Sequence, residues 1–245
     1  MDEKEYPIVD HLRALRKCLW RAALGVTAAM IASLSFANVI LTWLRAPMQK
    51  ILGPSSHFVV LAPHEYFFTE MKAALFAGIF LASPWIMYQF WLFAAPGLYR
   101  REKYLAATFI ASTVTFFVLG AYFAYSVVFP PMFQFFIGTL PADVQGNYSI
   151  GMLFGFATNL LLAFGFVFET PVVVFLLAVM GVVDLKTLSS ARRYVIVISF
   201  IVAAILTPTP DPLTQVFMAI PMILLYELGL FIAKVHLRAT AKSPE

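Results

Sequence analysis

Charge is what this sequence has least of. Only 12% of its 245 residues are Asp, Glu, Lys or Arg and 61% are apolar or aromatic, whereas a soluble globular domain carries roughly 25% and roughly 45–50%. Cysteine is almost missing as well: Cys18 alone excludes an internal disulfide framework and any multi-cysteine zinc or iron–sulfur site. His11, His57, His64 and His236 are scattered, with no pair at metal-ligand spacing. The chain also lacks HExxH, GxSxG and P-loop motifs, so no metal, cofactor or catalytic residue is expected. Fixed-period repeats and low-complexity stretches are absent too. The formal charge of +4 could suggest a nucleic-acid partner, but 25 Phe and long apolar runs make membrane orientation the better account of the basic excess.

What is present is a series of apolar runs punctuated by the few charges. A membrane span takes roughly 20 residues. The runs place six transmembrane helices at residues 22–44, 73–93, 104–129, 151–180, 194–206 and 213–233, after an N-terminal segment 1–21. The expected fold is an all-α polytopic membrane protein, with residues 1–245 forming a single integral membrane domain and no room for a separate soluble one. Pro130-Pro131 is expected to end the third helix near Phe129, because neither proline donates a backbone hydrogen bond. Pro171 is expected to kink the long fourth helix. The fifth run has only 13 residues, about 20 Å of helix, against a hydrocarbon core of about 30 Å. With a sixth helix that is also expected to be short and contains Pro221 and Glu227, this predicts a concave bundle beside which the bilayer is thinned.

Lysine and arginine orient the chain. Fourteen of the 17 basic residues fall in the N-terminal segment, the second and fourth loops and the tail; Arg45 and Lys50 lie in an alternate loop and Lys72 near the start of the second helix. Both termini are therefore expected to be cytoplasmic. The apolar run after Arg21 has 23 residues, beyond the roughly 7–15 of a cleavable signal, so the first helix is expected to stay in the mature protein. Ahead of it, Ile8, Leu12, Leu15 and Leu19 recur at helical spacing, with Asp10, Arg13, Arg16 and Lys17 on other faces. That pattern reads as an amphipathic helix lying in the membrane interface.

The remaining acids are the informative residues. Glu169 lies well inside the fourth helix, where an unpaired charge costs about 2.5–3.5 kcal/mol even on insertion-based scales. One reading is a polar site facing the bundle interior or a partner helix; the other is a hydrogen-bonded glutamate that only joins helices. The nearby Pro171 frees backbone carbonyls and favours the first. Glu227 reads as interfacial, and Glu70 and Lys72 as snorkelling side chains at a helix entrance. Gly151-xxx-Gly155 matches the helix-packing pattern only weakly. Glu102 is a lone acid among Arg100, Arg101 and Lys103, which by itself reads as a solvated loop charge.

Several stretches nonetheless occur together in one order: His11-Leu-Arg-Ala-Leu-Arg16, Ala46-Pro47, Ser83-Pro-Trp-Ile-Met-Tyr-Gln-Phe-Trp91, Phe93-Ala-Ala-Pro-Gly-Leu-Tyr99 with Glu102, Phe164-Gly-Phe-Val-Phe-Glu-Thr-Pro171, Leu206-Thr-Pro-Thr-Pro-Asp211 and Ala219-Ile-Pro-Met222. Over nearly the whole chain this resembles the TatC family of the twin-arginine translocase. The resemblance implies a protein of the cytoplasmic (inner) membrane that recognises signal peptides bearing consecutive arginines. It also implies export of folded proteins with single-span TatA- and TatB-type partners, self-association in the complex, and driving by the proton-motive force. It implies a cytoplasmic signal-peptide site in which Glu102 binds the arginines and Arg16, Phe93, Pro96, Leu98 and Tyr99 shape the surface. The physical basis is sound, since guanidinium forks bind carboxylates bidentately. The family commonly carries a second glutamate where Ala14 stands here. Asp10, four residues earlier on the same helical face, is expected to supply that charge. By the same resemblance Glu169 faces a polar cavity, Thr207, Asp211 and Gln215 contact partner helices, and Arg45, Pro47 and residues 130–148 form a structural cap.

Two other classes compete. A proton-coupled carrier would also need an intramembrane acid in a prolyl-kinked helix, but the repeat and a midplane cluster of polar ligands are missing. An intramembrane enzyme has less support, because no nucleophile–base or metal constellation is visible.

Overall fold

The structure, a computed structural model, describes residues 7–53, 58–94, 103–141, 143, 146–206 and 212–241. Among these every regular element is a helix, with one isolated bridge, Val59 to Ser149, in place of any strand. The helices are α1 (Pro7–Ser33), α2 (Ala37–Leu52), α3 (Glu65–Ala94), α4 (Lys103–Phe123), α5 (Phe129–Gly138), α6 (Ile150–Val167), α7 (Thr170–Val179), α8 (Leu185–Ser190), α9 (Arg192–Leu206) and α10 (Pro212–Ala241). Among the described residues, five stretches are long and apolar enough to cross a bilayer: α1 with α2, α3, α4 with α5, α6 with α7, and α10. The 15-residue α9 is shorter, whereas α10, expected to be short as well, runs for 30 residues because Pro221 is accommodated inside it.

Joints in the long helices have local causes. Ser33 turns its hydroxyl back onto the Ala29 carbonyl at 2.8 Å, a bond that bends helices, and the 3₁₀ turn Leu34–Phe36 follows. The sequence predicts a stop near Phe129, but the helical backbone does not end there. A π turn over Ala124–Val128 leads into α5, whose first turn contains Pro130 and Pro131. Prolines are tolerated in a first turn because its N–H groups lack intrahelical acceptors. Between α6 and α7 the helix opens at Phe168 and Glu169, immediately ahead of Pro171. Pro171 cannot bond the Val167 carbonyl, and Thr170 donates its hydroxyl to that oxygen instead, at 2.6 Å. Ser83 does the same in α3, donating at 2.7 Å to the Phe80 carbonyl that Pro84 leaves free.

The chain divides into two compact units: Met1–Ala46 with Val59–Val114 and Ser149–Gly151, and Pro47–Phe58 with Thr115–Tyr148 and Met152–Glu245. In the first, α1 packs along α3. A Cβ at Gly78 would lie 2.8 Å from the Met30 backbone, so the two helices meet there backbone to backbone, as small residues allow. In the second, α10 packs on α7, α8 and α9. Buried Val174, Ala178, Leu188, Tyr226, Leu230 and Ala233 form its core at this end, and the Tyr226 hydroxyl donates to the Leu188 carbonyl at 2.6 Å. Elsewhere large apolar side chains point outward, Leu24 at 63% exposure and Ile205 at 76%. In water such a surface would drive aggregation, whereas hydrocarbon accommodates it.

Candidate functional site

Three polar features stand out against this apolar background, and the first is the antiparallel register of α1 and α3. The Cys18 thiol donates to the Gln89 carbonyl at 3.2 Å. One turn on, the Trp85 indole N–H donates to the Arg21 carbonyl at 2.9 Å. Gly25 makes room for the Trp85 ring, since a Cβ there would lie 2.4 Å from Cδ1. Carried toward the start of α1, this register brings Arg16 level with Trp91 and Phe93. Arg16 is exposed and Phe93 half-buried. Trp91 is buried and closes the next contact: its ring packs on Phe109 at 5.2 Å and its N–H reaches Thr113 Oγ1 at 3.4 Å. The N-terminal helix, α3 and residues 103–114 of α4 thus belong to one packed unit. Asp10 lies in α1, but its side chain is outside the described residues, as are Pro96, Leu98, Tyr99 and Glu102.

The second feature is Glu169. It sits at the joint between α6 and α7, where its N–H bonds the Phe166 carbonyl at 3.1 Å and its own carbonyl accepts from Val173 at 2.9 Å. The backbone is therefore satisfied. The side chain is not: Oε1 is buried and has no hydrogen-bond partner among the described residues. A buried acceptor left unmatched costs about 1–3 kcal/mol, which the fold tolerates here. Gly229 of α10 approaches the same joint so closely that a Cβ would lie 2.8 Å from Pro171 Cα. Of the other residues expected to contact partners, Gln215 is half-buried on α10, while Thr207 and Asp211 are outside the described residues. Pro47 lies inside α2 and is half-buried.

Sequence reasoning missed the third feature. The Glu65 carboxylate, at the first turn of α3, accepts from the Leu61 N–H at 2.5 Å, the Ala62 N–H at 3.4 Å, the Gly151 N–H at 3.0 Å and the Ser149 hydroxyl. It ties the 58–64 segment to the start of α6 beside the backbone bond from Ile150 N–H to the Val59 carbonyl. Gly151 is needed because a Cβ there would lie 2.7 Å from Glu65 Oε1, whereas Gly155 has nothing within 4 Å of an added Cβ. The Gly-xxx-Gly pair is therefore an access point for a carboxylate and not a packing motif. Among the described residues no three His, Cys, Asp or Glu side chains are arranged to hold a metal.

The sequence and the fold both match known proteins. The sequence model of a family described as the Sec-independent protein translocase protein (TatC) matches residues 10–221. The chain belongs to the TatC family. A TatC protein of Halothiobacillus neapolitanus is 42% identical over 94% of this chain and 63% of its own length. One from Magnetococcus marinus is 40% identical over 95% of this chain and 85% of its own. A crystal structure of the twin-arginine translocase receptor TatC superposes with a TM-score of 0.81 at 37% identity, covering 92% of this chain and 98% of that one. As a TatC-family member the chain is a multi-pass membrane component of a protein translocase and not an enzyme. The all-helical six-span architecture expected from the sequence agrees with this fold, α9 being the short span.

Proposed function

We propose that this chain is the signal-peptide-recognising core subunit of a twin-arginine translocase. It works with TatA- and TatB-type single-span partners, self-associates in the complex, and exports folded proteins using the proton-motive force. In this reading it is a single integral domain of the cytoplasmic membrane with both termini inside, as the distribution of lysine and arginine favours. The recognition surface consists of the start of α1 and loop 95–102. Glu102 and Asp10 provide the carboxylates, and Arg16, Phe93, Pro96, Leu98 and Tyr99 shape the floor. The observation that carries the proposal is the α1–α3 register, in which Cys18 meets Gln89 and Arg21 meets Trp85, because it supports bringing an N-terminal acid and the loop to one end of one unit. Glu169, Thr207, Asp211 and Gln215 form the polar side on which a partner helix or mature substrate slides, and Pro47 braces the outer cap.

Site-specific crosslinking in membranes tests this. A photo-reactive residue at Phe93 should capture a twin-arginine signal peptide, and the capture should be lost when both arginines become lysine and should weaken with salt. An unchanged yield with the lysine peptide would remove the recognition site. Asp10→Asn should lower the yield several-fold, and full binding by that variant would take Asp10 out of the surface. Glu169→Gln should keep partner crosslinks that Glu169→Leu loses. Equal behaviour of both variants with wild type would leave Glu169 as a helix-joining residue only.

A further inference from the structure

A cavity of about 510 Å³ opens where α8, α9 and α10 meet, and its lining is rich in charge. Lys186, Arg192 and Lys234 bring three cations to it, with Ser189 adding a hydroxyl and Glu227 the one carboxylate. Arg192 and Glu227 engage each other side-on, Nε to Oε1 at 2.6 Å and Nη2 to Oε2 at 2.9 Å. That pair cancels its own charge and fixes the guanidinium, leaving Nη1 to point elsewhere. Lys186 and Lys234 are exposed and have no ion-pair partner among the described residues. The lining therefore carries two uncompensated positive charges.

Its surroundings are equally specific. Buried Leu230 and half-buried Leu185 tie the cavity to the core below. Phe231 forms one wall and belongs to a stripe that runs along α10 through Leu224, Leu228, Phe231 and Val235, exposed at 63%, 41%, 65% and 52%. Steps of three and four residues keep that stripe on one helical face. It leads from the cavity into the apolar body of α10, which has no charge between Pro212 and Glu227. The cavity thus lies where charge gives way to apolar surface, as it does at a bilayer interface. Basic pockets between membrane helices bind anionic lipid headgroups through the same chemistry.

We propose that this cavity is a binding site for an anionic phospholipid. The phosphodiester sits between Lys186 and Lys234 with Ser189 as a further donor, and an acyl chain lies along the Leu224–Val235 stripe. A soluble phosphate would meet the same cations but has no use for the stripe, and a zwitterionic lipid brings its own ammonium to a site that is already positive. Arg192 is held by Glu227 and serves to orient the site. An anionic lipid bound here would clamp α8 to α10 at the end of the chain's shortest membrane helix.

Native mass spectrometry of the purified protein tests the proposal, with phosphatidylglycerol, phosphatidylcholine of the same chains, and inorganic phosphate as probes. Phosphatidylglycerol should bind at several-fold lower concentration than phosphatidylcholine. Lys186→Gln with Lys234→Gln should abolish that preference, and Lys186→Arg with Lys234→Arg should retain it. Lys50→Gln, a cation outside the cavity, should leave it unchanged. A preference that survives the double glutamine variant would overturn the assignment. Displacement of phosphatidylglycerol by inorganic phosphate at comparable concentration would also overturn it, in favour of a simple anion site.

Discussion

Two residues show how this chain tolerates proline inside a membrane. Ser83 and Thr170 each precede a proline, and each donates its hydroxyl to the carbonyl that the proline strands, Phe80 and Val167 respectively. Ala46 before Pro47 and Ile220 before Pro221 have no hydroxyl, so they cannot serve the Trp43 and Phe217 carbonyls in this way. Hydrocarbon offers no water as a substitute, and Ser83 is buried at 1% exposure. Ser83→Ala should therefore destabilise the protein by about 1–3 kcal/mol, the cost of a buried unmatched acceptor. Ser83→Thr should restore most of the loss, and thermal unfolding in detergent reads both. If the alanine variant melts like wild type, the hydroxyl has no such role. The Thr170-Pro171 pair was legible in the sequence as a kink, because proline acts on its own helix, whereas Pro84 was not singled out. The Glu65 junction was not: its donors lie at positions 61, 62, 149 and 151, and no local pattern connects them. Only Gly151 left a trace, and it resembled a helix-packing glycine.

At the scale of elements, the apolar runs and charges pointed to an all-helical chain, but not to the places where a helix tightens, widens or resumes. Pro130-Pro131 is an example, since the π turn ahead of it lets helix continue beyond a pair that reads as a break. The α1–α3 contact was illegible for a different reason: lipid-facing and helix-facing sides of α3 are equally apolar, so hydrophobic periodicity cannot tell them apart. Contact is instead specified by space. Gly78 meets the Met30 backbone, which cannot rotate away, while Gly25 meets the Trp85 ring, which can. Gly78→Ala should therefore lower stability by about 1–3 kcal/mol, the usual cost of overpacking. Gly25→Ala should cost less in packing, while displacing the Trp85 indole from its bond to the Arg21 carbonyl. Melting temperatures give the order, and tryptophan fluorescence reports the shift in Gly25→Ala. The reverse order would mean that α1 and α3 do not pack in this register.

At the scale of the whole molecule, the shortage of charge and the brevity of one helix bear on the same question of how the protein fits its membrane. The 15 residues of α9 make about 22 Å of helix, some 8 Å less than a typical hydrocarbon core of about 30 Å. At a fraction of a kcal/mol per ångström of mismatch, that shortfall adds up to about 2–4 kcal/mol unless the bilayer thins. Arg192 and Arg193 at one end of α9 oppose burial, because an intramembrane charge costs about as much as the mismatch itself. Thinning is then the cheaper accommodation and the one expected here. Reconstituted into bilayers of increasing acyl length, the protein should be most stable in thin ones and lose stability steadily as they thicken. Inserting four leucines into α9 adds one turn, about 6 Å, and should move the optimum to thicker bilayers by a similar amount. An optimum that ignores both acyl length and the insertion would place α9 outside the hydrocarbon and remove the link between this helix and membrane thinning.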